Sequence, residues 1–363
     1  MTIKIITILG ARPQLIKASA LSNLIKKNSK IKEIIIHTGQ HYDYEMSDIF
    51  FKELKIPKPK YNLNIKSKYH GEMTARMIQD IEKILIKEKP DYTIVYGDTN
   101  STLAGAIASK KLLIPIIHIE SGLRSYNKEM PEEINRVLTD HCSDVLFTPS
   151  KLANLNLKNE NINKGSIYNV GDVMYDIFLN HFKKLKKNNN FVSSDILITI
   201  HRPENTNNFY KMLNIIKNLN ELSKKYKVLF PIHPRTKKIL KQYDIFKLIN
   251  RRIKIRNPLS YKEIINHLKY CNLLVTDSGG LQKEAFFSKT QTITIRDQTE
   301  WPETIEAGWN RLVKPNSFSI YKNALKLISK KGFNKKPYGN GNAARLIINR
   351  ILKLHHSKIG KQN

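Results

Sequence analysis

Residues 272–286, NLLVTDSGGLQKEAF, run from an apolar stretch into Thr276-Asp277 and Ser278-Gly279-Gly280, then into a helix-compatible segment holding Gln282 and Glu284. That order reads as a strand, a small-residue turn and a helix N-terminus. Such an N-terminus offers unpaired backbone N–H groups and the positive end of the helix dipole, which suits a phosphate. The glycines let a ligand approach the backbone closely. Glu284, about one turn in, is placed to accept hydrogen bonds from ribose hydroxyls. An ordinary strand–helix turn capped by Ser278 would show the same residues.

Polar groups recur at the ends of the other apolar runs. The first run finishes in Gly10-Ala11-Arg12-Pro13-Gln14 with Lys17 one turn later, and the next in Thr38-Gly39-Gln40-His41. Then come Gly97-Asp98-Thr99-Asn100, His118-Ile119-Glu120-Ser121-Gly122-Leu123-Arg124, and the segment Met130-Pro131-Glu132-Glu133-Ile134-Asn135-Arg136. The second half adds His201-Arg202-Pro203-Glu204-Asn205, His233-Pro234-Arg235, and Arg296-Asp297 with Glu300. Each has a plainer reading taken alone: Thr99 next to Asp98 as a helix cap, Glu132 and Glu133 as dipole-complementing carboxylates after Pro131, His201 and His233 as structural histidines. Their repetition at strand ends points instead to one composite site. Arg12, Lys17 and the Ser-Gly-Gly turn would bind a diphosphate. Asp98, Glu120, Glu132 and His201 resemble general acid–base machinery. No GxGxxG follows the first run and no Walker lysine follows the glycines, which argues against a nicotinamide dehydrogenase or a P-loop ATPase. No HExxH pattern supports a catalytic metal.

The elements that must carry these residues alternate along the chain. Strand-like runs fall at 4–10, 33–39, 92–98, 115–121 and 145–150, with helical stretches at 14–27, 43–54, 71–88, 101–111 and 131–141. The second half repeats the pattern at 195–202, 227–234, 253–258, 272–280 and 291–297. Continuous apolar strands separated by helices predict buried parallel sheets. The Lys/Asn-rich stretch 178–194 reads as a connection, so an α/β architecture follows, with Rossmann-like domains at 1–175 and 176–345 whose sheets face a cleft. A final helix near 341–356 heads the tail 346–363 and could cross back to the first domain.

At 363 residues the chain has ample core for two domains, and no apolar run approaches the ~20 residues that span a bilayer. The start, MTIKIITILGARPQ, lacks signal-peptide architecture. Cys142 and Cys271 are far apart and without metal-ligand spacing, which favours a reduced, cytoplasmic setting. The +31 net charge, 62 Lys+Arg against 31 Asp+Glu, raises nucleic acid as a partner. The excess is mostly lysine dispersed with Asn and Ile, and no zinc finger, RNP-like motif or Arg-rich helix accompanies it. Solvated faces with some steering of anionic substrates account for it better, and neither nucleic acid nor a membrane is expected as a partner.

GARPQLIK, TGQH, GDTNST, HIESGLRS, MPEEINR, HRPEN, HP and TDSGGLQKEA together resemble the non-hydrolysing UDP-N-acetylglucosamine 2-epimerases, in family order and near family spacing, from residue 5 to about 315. The resemblance implies a GT-B fold without a cofactor. It also implies that Arg12, Lys17, Ser278, Gly279, Gly280 and Glu284 hold UDP. Asp98, Glu120, Glu132 and His201 would then line the sugar site, with His233 close to the diphosphate. It implies conversion of UDP-GlcNAc to UDP-ManNAc, by elimination of UDP to a bound 2-acetamidoglucal and re-addition, for surface polysaccharide precursors, in a homodimer. Two segments depart from the family. GARPQ stands where GTRPE is common, and Thr299-Glu300-Trp301-Pro302-Glu303 stands where many members place a UDP-contacting arginine, so that an indole, Trp301, enters the substrate pocket. Both departures resemble a branch acting on UDP-2,3-diacetamido-2,3-dideoxy-glucuronate. An allosteric UDP-sugar site near Gln40 and His41 occurs in part of the family; Tyr42-Asp43 departs from its polar pattern, which argues against activation by substrate. Hydrolysing epimerases and GT-B glycosyltransferases are the rival enzyme readings.

Overall fold

The computed structural model describes residues 2–39, 55–162, 166–185 and 193–359. The helix expected at 43–54 and the Gln40-His41 region lie outside the described residues. The chain divides into two compact units, Met1–Ile177 with Lys336–Asn363, and Phe178–Lys335.

The first unit is built on a parallel sheet whose strands, among the described residues, are β1 (Ile3–Leu9), β2 (Ile31–His37), β3 (Tyr61–Asn62), β4 (Tyr92–Tyr96), β5 (Ile116–Ile119), β6 (Val145–Thr148) and β7 (Ile167–Asn169). Their spatial order is β3-β2-β1-β4-β5-β6-β7. Isoleucine-rich β1 and β2 are covered on both faces, because helices pack above and below a parallel sheet. The helix Arg12–Ile25 turns Leu15, Ala18, Leu21 and Ile25 toward Ile5, Ile94 and Ile117. The closing helix, Ala343–Ile359, adds Ile347, Ile348 and Ile351 to the same core. Asp176 fixes its start, accepting hydrogen bonds from the Ala343 and Ala344 amides at 3.0 and 2.8 Å. On the other face the helix His70–Glu88 presents Met77, Ile81, Ile84 and Leu85, a stripe at helical spacing.

The second unit repeats the design with β8 (Ile196–Thr199), β9 (Val228–Pro231), β10 (Ile253–Arg256), β11 (Leu273–Thr276), β12 (Gln291–Thr294) and β13 (Asn310–Leu312), ordered β10-β9-β8-β11-β12-β13. Every pairing in both sheets is parallel. Its core runs through Ile198, Ile216, Leu219, Phe230, Val275 and Ile293.

Each sheet reverses its strand order once, between β1 and β4 and between β8 and β11. At such a reversal the neighbouring loops leave in opposite directions and open a crevice beyond the strand ends, where ligands of this fold class bind. Within the stretch expected to be a connection, the helix Val173–Phe182 continues five residues past 177. Apolar Phe178 and Phe182 stack there at 4.9 Å and keep the segment helical.

Glu33 is an anomaly of the first core. One carboxyl oxygen accepts from the Thr7 and Ser22 hydroxyls at 2.6 and 3.1 Å, while the other is buried without a partner. Burial pushes its pKa above the ordinary 4.5 despite those two hydrogen bonds. A raised folded-state pKa contributes stability that is complete below the unfolded value and is lost as pH rises through the folded value. Glu33→Gln, which cannot ionise, is therefore expected to melt close to the wild type at about pH 3.5, below the unfolded value, and to melt about 2 °C or more above it at about pH 8. Thermal unfolding followed by circular dichroism at the two pH values checks this; an equal shift at both would contradict it.

Candidate active site

In the first unit the turn after β1 is fastened by Gln14. Its side-chain oxygen accepts from the Gly10 and Ala11 amides at 2.8 and 3.1 Å, and its NH2 donates to the Tyr96 carbonyl and the Thr102 hydroxyl at 3.1 and 3.0 Å. The turn after β1 is thereby tied to the end of β4, across the reversal. Gly10 is required there: a Cβ would lie 2.0 Å from Ser101 Oγ and 2.1 Å from Thr38 Oγ1. Arg12 opens the following helix, and its side chain is outside what the structure describes. One turn on, Lys17 forms an ion pair with Glu120. The pair lies over Gly97, whose φ is +63°; a Cβ there would meet Lys17 Nζ at 3.0 Å and Glu120 Oε2 at 3.3 Å. Glu120 itself holds φ +68°, a left-handed conformation that L-residues adopt rarely.

Asp98, next along from Gly97, is ion-paired with Arg136, and its carbonyl accepts from Asn135 at 3.0 Å. Arg136 also donates to Glu133 at 2.6 Å. Glu133 accepts from the Ser125 amide and hydroxyl, both at 2.9 Å, and from the Tyr126 amide at 2.8 Å. Burial opposes its charge, but the Ser125 amide and Arg136 outweigh it and hold its carboxyl below the usual carboxylate range. Glu132, its neighbour in the helix Pro131–Cys142, is half-buried and has no hydrogen-bond or ion-pair partner among the described residues. The first unit therefore brings together Lys17, Glu120, Asp98 and, through Arg136, the helix turn that carries Glu132.

In the second unit the register Thr199↔Thr276 sends the loops after β8 and β11 out side by side. Fully buried Asp277 accepts from the His201 amide at 3.0 Å, from the Arg202 amide at 2.9 Å and from Asn205 Nδ2 at 3.2 Å. The His201 ring stands 3.6 Å from the same carboxylate and 5.8 Å, centre to centre, from the His233 ring. Burial first, then the charges of His201 and Arg235, push the His233 pKa down. Ser278 occupies the N-cap of the helix Gly279–Ser288, yet its hydroxyl makes no capping bond, so the plain capping interpretation does not hold. The turn is open. A Cβ on Gly280 would have nothing within 4 Å, and one on Gly279 would lie 3.6 Å from Arg202 Nη2 and 3.7 Å from Arg296 Nη1. Two guanidinium groups thus flank an uncapped helix N-terminus, that of Arg296 held by Glu300 through two hydrogen bonds of 3.0 Å, an arrangement in which Arg202 and the backbone amides suit a diphosphate.

Trp301 is 6% exposed; its indole N–H donates to the Gly279 carbonyl at 3.1 Å, and the Lys283 ammonium lies 3.9 Å from the ring centre. The indole therefore braces the turn from behind. Glu284 is buried one turn into the same helix. Among the described residues no group of three His, Cys, Asp or Glu could hold a metal ion, and no helix is long and apolar enough to cross a membrane.

Gln14, Glu133, Arg136, Asp277, Arg202 and Arg296 all stood in the strand-end segments but were assigned no catalytic or binding role there. For Arg136 a usable signal exists: it lies four residues after Glu132 and three after Glu133, on one helix face.

Two Rossmann-type sheets with polar strand ends at their order reversals define an α/β protein of the GT-B class. A sequence model of the UDP-N-acetylglucosamine 2-epimerase family matches residues 23–352. A Methanococcus maripaludis protein named UDP-N-acetylglucosamine 2-epimerase homolog is 49% identical over 95% of this chain and 98% of its own. The UDP-2,3-diacetamido-2,3-dideoxy-D-glucuronate 2-epimerase of Pseudomonas aeruginosa is 46% identical, covering 97% of this chain and 100% of that one. The Methanocaldococcus jannaschii UDP-GlcNAc 2-epimerase, solved in complex with UDP-GlcNAc and UDP, superposes with a TM-score of 0.89 at 45% identity, covering 97% of this chain and 100% of that one. The chain belongs to the UDP-N-acetylglucosamine 2-epimerase family.

The turn geometry predicts opposite outcomes for two glycines. Gly10→Ala drives a methyl group into the Thr38–Ser101 hydrogen bond of 2.7 Å and is expected to destabilise by about 1–3 kcal/mol. Gly71→Ala, in the first turn of a helix with nothing within 4 Å, is expected to be neutral or to stabilise by up to about 1 kcal/mol. Urea unfolding of both variants measures the difference; equal effects would show that the space around Gly10 can relax.

Proposed function

We propose that this chain is a non-hydrolysing UDP-sugar 2-epimerase that inverts C2 of UDP-N-acetylglucosamine to give UDP-N-acetylmannosamine. The observation that carries the proposal is the split in chemistry between the units. One presents an uncapped helix N-terminus between Arg202 and Arg296; the other presents Glu120 and Asp98, each with a cation, and Glu132 with none among the described residues. On this reading Arg12, Lys17, Ser278, Gly279, Gly280 and Glu284 bind UDP, and His233 sits close to the diphosphate. Asp98, Glu120, Glu132 and His201 serve the sugar.

The chemistry follows from the substrate. The proton on C2 is weakly acidic, so a carboxylate must remove it as the C1–O bond to UDP breaks. The electron pair forms the C1–C2 double bond of a 2-acetamidoglucal, and the leaving diphosphate carries the charge to the cationic turn. Returning the proton from the opposite face, with UDP adding back at C1, gives the manno product. Two faces require two proton-transfer groups, which is a use for several carboxylates in different surroundings. Retaining the glucal requires water to be kept out during its lifetime. The same reading takes the protein as a cytoplasmic homodimer that supplies precursors for surface polysaccharide.

A second substrate reading, UDP-2,3-diacetamido-2,3-dideoxy-glucuronate, is favoured by Trp301 standing where an arginine is common and by the 46% identical Pseudomonas relative. NMR in deuterated water with each sugar nucleotide decides between them. The true substrate should acquire deuterium at C2 and form a UDP-linked manno product without stoichiometric release of UDP. Free UDP with free sugar would indicate the hydrolysing class, and no exchange with either, from folded protein, would refute the assignment. Asp98→Asn and Glu120→Gln are each expected to lower turnover about 100-fold or more while UDP binding changes little. Trp301→Phe loses the hydrogen bond to Gly279 and is expected to weaken UDP binding about fivefold in titration calorimetry.

A further inference from the structure

The backbone that presents Glu120 is strained, and strain of this kind persists only where the surroundings over-determine it. The surroundings here are a buried charged cluster that the proposed reaction does not use. His118 and Asp140 are both fully buried. Asp140 takes the His118 ring nitrogen Nδ1 at 2.7 Å, the Gly122 amide at 3.0 Å and Arg124 Nη1 at 2.7 Å. His118 Nε2 reaches the Gly97 carbonyl at 2.8 Å. Arg124 is held in turn by Glu160, with two contacts of 2.6 Å, and donates to the Leu123 carbonyl at 2.6 Å.

These contacts bracket Glu120 from both sides. Two residues before it, His118 is fastened to Gly97, the residue whose open face accommodates the Lys17–Glu120 pair. Two residues after it, Gly122 at φ +79° is fastened to the same carboxylate. Glu120, at φ +68°, stands inside that bracket and pairs with Lys17. Burying this many charges costs free energy that a hydrophobic cluster would avoid, so its presence calls for a role other than stability.

We propose that Asp140, acting with His118, is a positioning residue that fixes the Glu120 turn against Gly97 so that the Glu120 carboxylate meets the sugar at the reacting carbon. The proposal rests on the epimerase reading above. Asp140 touches no substrate; it acts only through the geometry of Glu120. Removing it should therefore cost turnover far more than nucleotide binding, because Ser278–Gly280 and Glu284 belong to the other unit, while Lys17, paired with Glu120, is the assigned UDP contact next to the turn that Asp140 holds.

The test is a double-mutant cycle on the full-length enzyme, with kcat, KM and UDP affinity measured for Asp140→Asn, Glu120→Gln and the double variant. A displacement on the ångström scale at a reacting group lowers turnover by up to about 100-fold, so Asp140→Asn is expected to lose about 30-fold in kcat. KM and the UDP dissociation constant should stay within about twofold. On the Glu120→Gln background the same change should cost less than about threefold, since a group that acts through Glu120 has nothing left to position. A merely structural role predicts equal losses in both backgrounds, and that result, or near-normal turnover in the single variant, would overturn the proposal. Should Asp140→Asn fail to fold, His118→Asn, which breaks the link to Gly97 and leaves Asp140 with Arg124 and Gly122, is held to the same pattern. C2 exchange by the wild type separates the two levels: exchange present with a normal Asp140→Asn enzyme sinks only the positioning role, and exchange absent sinks the epimerase reading with it.

Discussion

A parallel sheet that reverses its strand order leaves two backbone loops diverging into what would otherwise be an empty crevice, and those loops must be joined if the site is to hold its shape. In this protein one buried polar side chain in each sheet gathers several of the joining hydrogen bonds. Gln14 uses both ends of its amide to clamp the turn after β1 onto the end of β4. Asp277 uses both carboxyl oxygens to clamp the loop after β8 onto β11. The two side chains differ because their partners differ. Gln14 faces two donors and two acceptors, which an amide can satisfy, whereas Asp277 faces only N–H groups, which a carboxylate satisfies. All of the chemistry discussed above is suspended from these two joints: Lys17 follows Gln14 by less than a turn of helix, and the Ser-Gly-Gly turn follows Asp277 directly.

Charge is arranged differently at the surface and at the sites. The +31 excess is carried mainly by lysines dispersed along the sequence. Around the candidate catalytic groups the carboxylates outnumber the cations that hold them: Lys17 pairs with Glu120, Arg136 with both Asp98 and Glu133, Arg124 with both Asp140 and Glu160, and Arg296 with Glu300. These paired charges hold side chains at fixed distances, while the dispersed lysine excess supplies the positive field that favours the approach of an anionic ligand. Arg202 and the uncapped N-terminus beside Gly279 are the part of this inventory whose chemistry suits a phosphate.

Much of the fold was legible in the sequence because the long strands are uninterrupted apolar runs and the helices between them are amphipathic. The strands at 61–62, 167–169 and 310–312 were not, since two or three residues carry no periodicity and are defined only by a neighbour already in place. The helical turn at 178–182 was hidden by the lysine- and asparagine-rich residues that follow it. At the site, residue type was enough to nominate Asp98, Glu120, Glu132 and the Ser-Gly-Gly turn. It could not separate Glu132 from Glu133, adjacent carboxylates of which one anchors a loop through three hydrogen bonds and accepts a fourth from Arg136, while the other has no partner among the described residues. Nor could it show that the Trp301 indole is spent on the Gly279 carbonyl, because that contact spans twenty-two residues and depends on how one helix lies against another.

The distinction between an epimerase and a glycosyltransferase on the same fold comes down to what the first unit is asked to do. Transfer of a sugar breaks and makes bonds at C1 and needs, at most, one group to take a proton from the acceptor. It has no use for several carboxylates placed around the C2 side of a hexose. Keeping Glu120 at a left-handed φ costs stability, and burying it in an ion pair with Lys17 over a glycine adds a desolvation cost. Those costs are intelligible if a carbon-bound proton must be taken from one face and restored to the other. The family relationship and the arrangement of acids thus bear on the question independently, one through shared sequence and fold and the other through the free energy the chain gives up to hold its carboxylates where they are.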